Sequence, residues 1–130
     1  MEDAMKLRYA LATAALSSAA VGTVVHTLHA QANPPVYMVA INEITDQEGY
    51  MKQYLPTAQK TQKDHGAVVV ARGPGTQIDG SFPKGRIVVV RWESMEALNR
   101  WRHSPEYEAA RKVGEGFAKF TVVAVDGVAQ

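Results

Sequence analysis

Four short runs of the chain carry apolar side chains at almost every position. The runs are Val36–Ile41, Ala67–Ala71, Ile87–Val90 and Phe120–Val125. Successive side chains of a strand point to opposite faces, so a half-exposed strand alternates apolar and polar residues. These runs therefore predict strands of a sheet that is apolar on both faces. Such a sheet needs a cover on each side.

Two stretches show helical spacing instead. In the first, Asp46 is a predicted N-cap and apolar residues recur at helical intervals from Tyr50 to Ala58. Pro56 predicts a kink, or a division into a short piece and a longer one, and His65-Gly66 predicts the end. In the second stretch, Ser94 is a predicted N-cap, Ser104-Pro105 restarts the helix, and Gly114 and Gly116 end it.

The resulting element order is β-α-β-β-α-β. We predict strands at Val36–Ile44, Ala67–Arg72, Arg86–Trp92 and Phe120–Asp126, with a loop at Gly73–Gly85. The economical fold is α+β and ferredoxin-like: a four-stranded antiparallel sheet with both helices on one face. Right-handed crossovers place strand one between strands three and four, and strand two at the edge beside strand three. The uncovered face predicts a homodimer that packs sheet against sheet.

The first 32 residues have the layout of a secretory leader. Lys6 and Arg8 give a positive start, Tyr9–Val25 is weakly apolar, and small residues at alternate positions lead to Ala32. We expect cleavage after Ala32, a single domain over residues 33–130, and a periplasmic or secreted protein free of the membrane. The alternative is an uncleaved segment that anchors the protein in the membrane. Met5 is an alternative start, because the acidic pair before it is unusual in a leader.

Composition excludes several classes of protein. Lys and Arg total 14 against 13 Asp and Glu, for a net charge of +1, and the basic residues are scattered. This balance argues against a nucleic-acid partner. The chain has no Cys, which excludes disulfides and thiolate chemistry. Of the four His, two lie in the leader and the others, His65 and His103, are far apart. We therefore expect no metal site and no cofactor.

Several short motifs occur in an order that resembles a known family. They are Tyr54-Leu55-Pro56-Thr57-Ala58, Ala71-Arg72-Gly73, Ser94-Met95-Glu96-Ala97 and Ser104-Pro105-Glu106-Tyr107. The chain resembles domain of unknown function 1330 from Tyr37 to about Val128. One departure is His65-Gly66, where the family often has Gly-Gly. The resemblance implies a ferredoxin-like fold paired as a dimeric α/β barrel. It implies no reaction, because structural relatives of the family include cofactor-free monooxygenases, lactone isomerases and haem enzymes.

Two polar residues are candidates for chemistry. His65 is the candidate catalytic residue, as an acid or base oriented by Asp64 or Asp126. The structural alternative is a His that interacts with the dipole at a helix C-terminus. Arg72 is a candidate to bind a carboxylate or carbonyl of a ligand through its planar guanidinium. Its structural alternative is pairing with Glu43 or fixing the following loop.

Aromatic residues and a third polar group complete the candidates. Tyr37 and Trp92 are predicted walls of a flat pocket, and Arg91 is a further ligand-binding candidate at the same end of the sheet. Tyr50, Tyr54, Trp101 and Tyr107 fit a pocket or ordinary packing. Ser104-Pro105-Glu106-Tyr107 resembles a catalytic signature, but each residue has a structural role as cap, first residue, dipole partner or packing group.

Three hypotheses about function follow. The first is an exported, homodimeric module that binds a small organic molecule between sheet and helices. The second is a cofactor-free enzyme, similar to a monooxygenase or isomerase, that uses the same pocket with His65 as general base and Arg72 holding a developing oxyanion. The third is a structural or assembly protein whose site is the dimer interface.

Overall fold

The computed structural model describes residues 34–129. Its four strands are β1 Val36–Ile44, β2 Val68–Pro74, β3 Arg86–Trp92 and β4 Ala118–Asp126. They form one antiparallel sheet in the order β2-β3-β1-β4. This is the predicted α+β ferredoxin-like fold with the predicted strand order. The bounds of β1 and β3 match the sequence prediction. β2 begins one residue later and extends two residues into the predicted loop.

The segment after β1 is helical but not uniformly α-helical. Asp46 caps α1, Gln47–Gly49, by accepting the Gly49 N–H through Oδ1 at 3.0 Å. A π-helical stretch, Tyr50–Tyr54, follows, and the backbone N–H of Leu55 donates to the Tyr50 carbonyl. α2, Leu55–Asp64, then begins with Pro56 in its first turn. The predicted division near Pro56 into a short piece and a longer one is confirmed. The π-helical turn Tyr50–Tyr54 separates the two pieces.

Helix α2 ends where the sequence predicts. His65 is its C-cap, and Gly66 follows with a φ of 81°. A residue without Cβ adopts this left-handed conformation at low cost.

The second helical segment has two parts. In α3, Met95–Arg102, the Ser94 hydroxyl accepts the Ala97 N–H at 3.1 Å. In α4, Pro105–Gly114, the Ser104 hydroxyl accepts the Tyr107 N–H at 3.3 Å and donates to the Trp101 carbonyl at 2.7 Å. Ser104 therefore joins the end of one helix to the start of the next, which confirms its structural role.

The helices cover one face of the sheet. In β1, Val36, Met38 and Ala40 are buried on this face, whereas the alternate residues are only half-buried. The core is rich in aromatic rings: Trp101 lies with its ring centre 3.8 Å from that of Tyr107 and 5.0 Å from that of Trp92. Tyr50, Val90 and Trp92 are the largest fully buried side chains.

The opposite face, which we call the outer face, is covered by none of the helices within residues 34–129, and the loop that contains Gly75 and Phe82 lies against it only near Ile87. It carries Tyr37, Val39 and Ile41 of β1 with their register partners in β3 and β4. Val123 and Val125 there are 61% and 60% exposed. The prediction of a sheet with two apolar faces is confirmed.

Two further predictions concern the N-terminal segment and the membrane. The predicted leader, residues 1–32, lies outside the described residues. None of the helices within residues 34–129 is long and apolar enough to cross a membrane.

Candidate functional site

A cavity of about 50 Å³ lies between the helix-covered face of the sheet and the helices. One water molecule requires roughly 10–15 Å³ on this measure, so the cavity has room for several waters or one small organic molecule. Its wall is mostly apolar and includes Met38, Ala40, Leu55, Ala58, Val88, Trp101, Phe120 and Val122. An apolar wall with a few polar groups is typical of small-molecule sites.

A β-bulge brings Arg72 to this cavity. Val69 pairs with Val90 and Arg72 pairs with Val88, so the register shifts by one residue around Val70. Without the shift, residues three apart would point to opposite faces. With it, both Val69 and Arg72 line the cavity. Glu43 lies on the outer face, so the alternative in which Arg72 pairs with Glu43 is wrong.

A polar cluster closes one end of the cavity. The Asn42 amide donates from Nδ2 to the Tyr50 hydroxyl at 2.9 Å, and Arg86 lies opposite Asn42 in the register of β1 and β3. All three line the cavity. Burial raises the pKa of Tyr50, and the amide hydrogen bond and the Arg86 charge partly offset this rise. The Tyr50 hydroxyl is therefore neutral at neutral pH.

Polar atoms in this cluster lack partners. The Asn42 Oδ1 and the Arg86 Nε are buried without a hydrogen bond. Reversing the amide would let Tyr50 donate to Oδ1 and would leave Nδ2 unpaired instead. In either orientation one buried atom of Asn42 lacks a protein partner, which costs stability unless another molecule binds it.

Two further tyrosines line the cavity opposite the sheet. The hydroxyls of Tyr54 and Tyr107 lie 3.1 Å apart and are buried. Burial, followed by the nearby Tyr107 hydroxyl, holds the pKa of Tyr54 far above its ordinary value of 10.0. Tyr54 is therefore a neutral hydrogen-bonding group and not a source of negative charge.

Two more arginines reach the cavity from the second helical segment. The guanidinium carbon of Arg111 lies 4.2 Å from the centre of the Phe120 ring, and its Nε lies 3.4 Å from a Glu115 carboxylate oxygen. The guanidinium carbon of Arg102 lies 5.6 Å from the centre of the Tyr107 ring. With Arg72 and Arg86, four arginines line the cavity.

Other candidates from the sequence lie elsewhere. His65 is at the C-terminus of α2, where its Nδ1 lies 2.8 Å from the Thr61 carbonyl oxygen, and it does not line the cavity. Tyr37 and Arg91 pair with each other on the outer face. Trp92 is fully buried against Trp101. Arg72 is the member of the predicted set that the structure brings to the cavity; ligand binding by the others stays a prediction.

The sequence reasoning did not single out three of the cavity arginines or the amide of Asn42 as ligand contacts. Arg86 had a signal, because strand alternation places it on the same face as Val88, Val90 and Trp92. Arg111 had a weaker one, four residues after Tyr107 and therefore on the same side of α4. Among residues 34–129, the His, Asp and Glu side chains form no group of three that could hold a metal.

The family model described as "Domain of unknown function (DUF1330)" matches residues 35–128. The chain belongs to this family. The resemblance drawn from its short motifs is confirmed over nearly the same range. No curated protein matches the chain.

Solved structures resemble the DUF1330 domain in fold at low sequence identity. A protein of unknown function from Rhodopseudomonas palustris has a TM-score of 0.64 at 15% identity, covering 83% of this chain and 94% of that chain. SnoaB, a cofactor-independent oxygenase from Streptomyces nogalater, has a TM-score of 0.56 at 8% identity, covering 75% and 96%. An ethyl tert-butyl ether d (ethd) family protein from Bacillus halodurans has a TM-score of 0.52 at 18% identity, covering 72% and 99%. These likenesses establish the fold alone.

Proposed function

We propose that the DUF1330 domain binds a small organic molecule in the cavity between sheet and helices. One observation carries this proposal: the cavity is apolar over most of its wall, yet Asn42 and Arg86 present buried polar atoms without partners. Buried polar groups in native proteins are nearly always satisfied by protein, water or ligand. A ligand with polar atoms at one end and apolar atoms at the other would match both parts of the wall.

The cofactor-free enzyme is the second candidate, and the described geometry favours it less. A fold neighbour, SnoaB, is a cofactor-independent oxygenase, which gives a precedent for such chemistry on this fold. A general base should have a pKa near the working pH. The described residues that line the cavity include no His, Asp or Glu, and burial raises the pKa of both Tyr50 and Tyr54. Binding is therefore the function that the cavity supports better.

The proposal includes a homodimer that forms through the outer face. This face has an apolar centre around Val39 and Val123, and exposed apolar patches of this kind are typical of interfaces. Arg91 and Glu43 lie at opposite ends of the same face. If the two-fold axis of the dimer ran perpendicular to the strands, Arg91 of one subunit would lie near the Glu43 end of the other subunit. Opposite charges would then meet at both ends of the interface. A second copy is therefore the occupant that we propose.

Export is the last part of the proposal and is based on residues 1–32 alone. The intact mass of protein purified from its own cells tests it. We expect a chain that begins at Asn33. A mass that retains Met1 or Met5 would contradict cleavage and would favour the anchored alternative.

Native mass spectrometry of the same preparation tests binding. We expect a small noncovalent adduct that denaturing spectra lack. Ala40→Leu, which fills part of the cavity, should abolish the adduct, whereas the same change at the exposed Ala109 on α4 should retain it. Protein that carries no adduct and whose tryptophan fluorescence responds neither to propionate nor to propionamide would refute the proposal.

A further inference from the structure

The charges around the cavity all have one sign. Four arginines line it, and no Asp or Glu does so among the residues that the structure describes. A guanidinium stays protonated at any physiological pH, so these charges are permanent. Glu115, 3.4 Å from Arg111, neutralises one of these charges in part, and the remaining positive charge at a partly apolar site creates a potential that favours an anion.

Two of these arginines are available to a ligand. Arg72 pairs with Val88, which lies two residues from Arg86 on the same face of β3. The two side chains are therefore diagonal neighbours on adjacent strands. No carboxylate within residues 34–129 lies within 4.0 Å of either guanidinium. The buried Nε of Arg86 also lacks a hydrogen-bond acceptor.

The other two arginines have protein partners and contribute mainly charge. Arg111 lies over the Phe120 ring and near Glu115, although its buried Nε makes no hydrogen bond, and Arg102 lies near the Tyr107 ring. These contacts hold their positions beside the cavity. Arg72 and Arg86 are thus the better candidates for direct contact.

We infer that the ligand is a small organic carboxylate with an apolar body of a few carbon atoms, held at its charged end by Arg86 and Arg72. This inference depends on the proposed binding function. A carboxylate accepts two parallel N–H bonds from a guanidinium and would satisfy the Arg86 Nε. With its amide reversed, Asn42 would donate a further hydrogen bond to the same oxygen atoms while Tyr50 donates to Oδ1. The apolar body would contact Met38, Val88 and Val122.

Matched probes test the charge requirement. We would titrate full-chain protein, freed of carried ligand by dialysis, with propionate and with its uncharged isostere propionamide at constant ionic strength. Trp101 lies on the cavity wall, so its fluorescence reports occupancy. Propionate should bind at least about tenfold more tightly than propionamide, the difference expected for one hydrogen bond to a charged group. Inorganic phosphate, which lacks an apolar body, should compete weakly.

Variants test the residues. Arg86→Gln should reduce the preference for propionate about tenfold, and Arg86→Lys should restore part of it. Arg72→Gln changes an exposed position on an edge strand and gives a second test if the first variant fails to fold. Arg100→Gln, an equal loss of charge at an exposed position of α3 away from the cavity wall, should leave the preference unchanged.

These experiments separate failure of the carboxylate inference from failure of the binding proposal. Equal binding of propionate and propionamide, or a preference that survives both arginine variants, would overturn this inference and leave the binding proposal intact. Phosphate that competes as strongly as propionate would overturn the inference that the ligand has an apolar body. Absence of binding by both propionate and propionamide, together with the absence of a native adduct, would overturn the binding proposal and this inference with it.

Discussion

Trp101 donates its indole N–H to the Thr61 hydroxyl, 3.0 Å away, and both residues are buried. Thr61 in turn donates to the Ala58 carbonyl at 2.9 Å. This chain of hydrogen bonds joins α3 to α2 directly beside the cavity. It also fixes the ring that forms part of the cavity wall.

Thr61→Val should destabilise the fold by about 1–3 kcal/mol, because it removes the acceptor and leaves a buried indole N–H unsatisfied. The substitution preserves shape, so packing changes little. Urea unfolding monitored by circular dichroism gives the free energy of unfolding. Thr61→Ser keeps the hydroxyl and should retain more of the stability. If the valine variant were the more stable of the two, the hydrogen bond would not be the cause.

Gly114→Ala should also destabilise the fold, although Ala favours helices. A Cβ at this position would lie 2.5 Å from Tyr54 Cδ2 and 3.0 Å from Phe120 Cζ. Such overpacking costs roughly 1–3 kcal/mol, and the gain of about 1 kcal/mol in helix propensity offsets this cost only in part. Thermal unfolding is a suitable measurement. Gly116→Ala is the control, since its Cβ would meet only the Val113 carbonyl oxygen at 3.4 Å.

Alkaline pH should lower the free energy of unfolding, because two buried tyrosines resist deprotonation in the folded protein. The pKa values of Tyr50 and Tyr54 are raised above 10.0 in the fold, so above that pH the native protein holds more protons than the unfolded chain. Their contribution to stability is complete below about pH 10 and is lost as the pH rises, by about 1.4 kcal/mol per pH unit for each tyrosine. Urea unfolding between pH 8 and pH 11 measures the slope. Tyr54→Phe should make it shallower; an unchanged slope would contradict this account.

The homodimer gives a further prediction. Val123→Lys places a charge at the centre of the outer face and should raise the dissociation constant by at least about a hundredfold. Sedimentation at micromolar concentration should then show a dimer for the wild type and a monomer for the variant. Val113→Lys changes an exposed residue of α4, 45% accessible, and should remain dimeric. A monomeric wild-type protein would rule out the proposed assembly.

The elements of the fold follow from local rules in the sequence. Asp46, Ser94 and Ser104 all cap helices as their residue types suggest, and the apolar runs become strands. Periodicity alone shows which residues share a face. It does not show which face the helices cover, and this is why Tyr37 and Arg91 were predicted beside a pocket but lie on the outer face.

The site was harder to predict than the fold, because its position depends on departures from ideal geometry. The π-helical stretch that includes Tyr50 and Tyr54 and the bulge near Val70 have no clear sequence signal. Arg72 was identified because it ends an apolar strand. Strand alternation places Arg86 on the same face as Val88 and Val90, but no local pattern reveals that the helices cover this face.

The bulge in β2 has a consequence for how this protein could change over evolution. Loss of the single codon for Val70 would remove the extra residue and leave Val69 opposite Val90 and Arg72 opposite Val88, as they are now. A single mutational event could therefore delete the bulge without turning Arg72 away from the cavity. Homologues that lack the extra residue would keep the residue equivalent to Arg72 on the cavity face, so the proposed ligand contact tolerates this change of strand length.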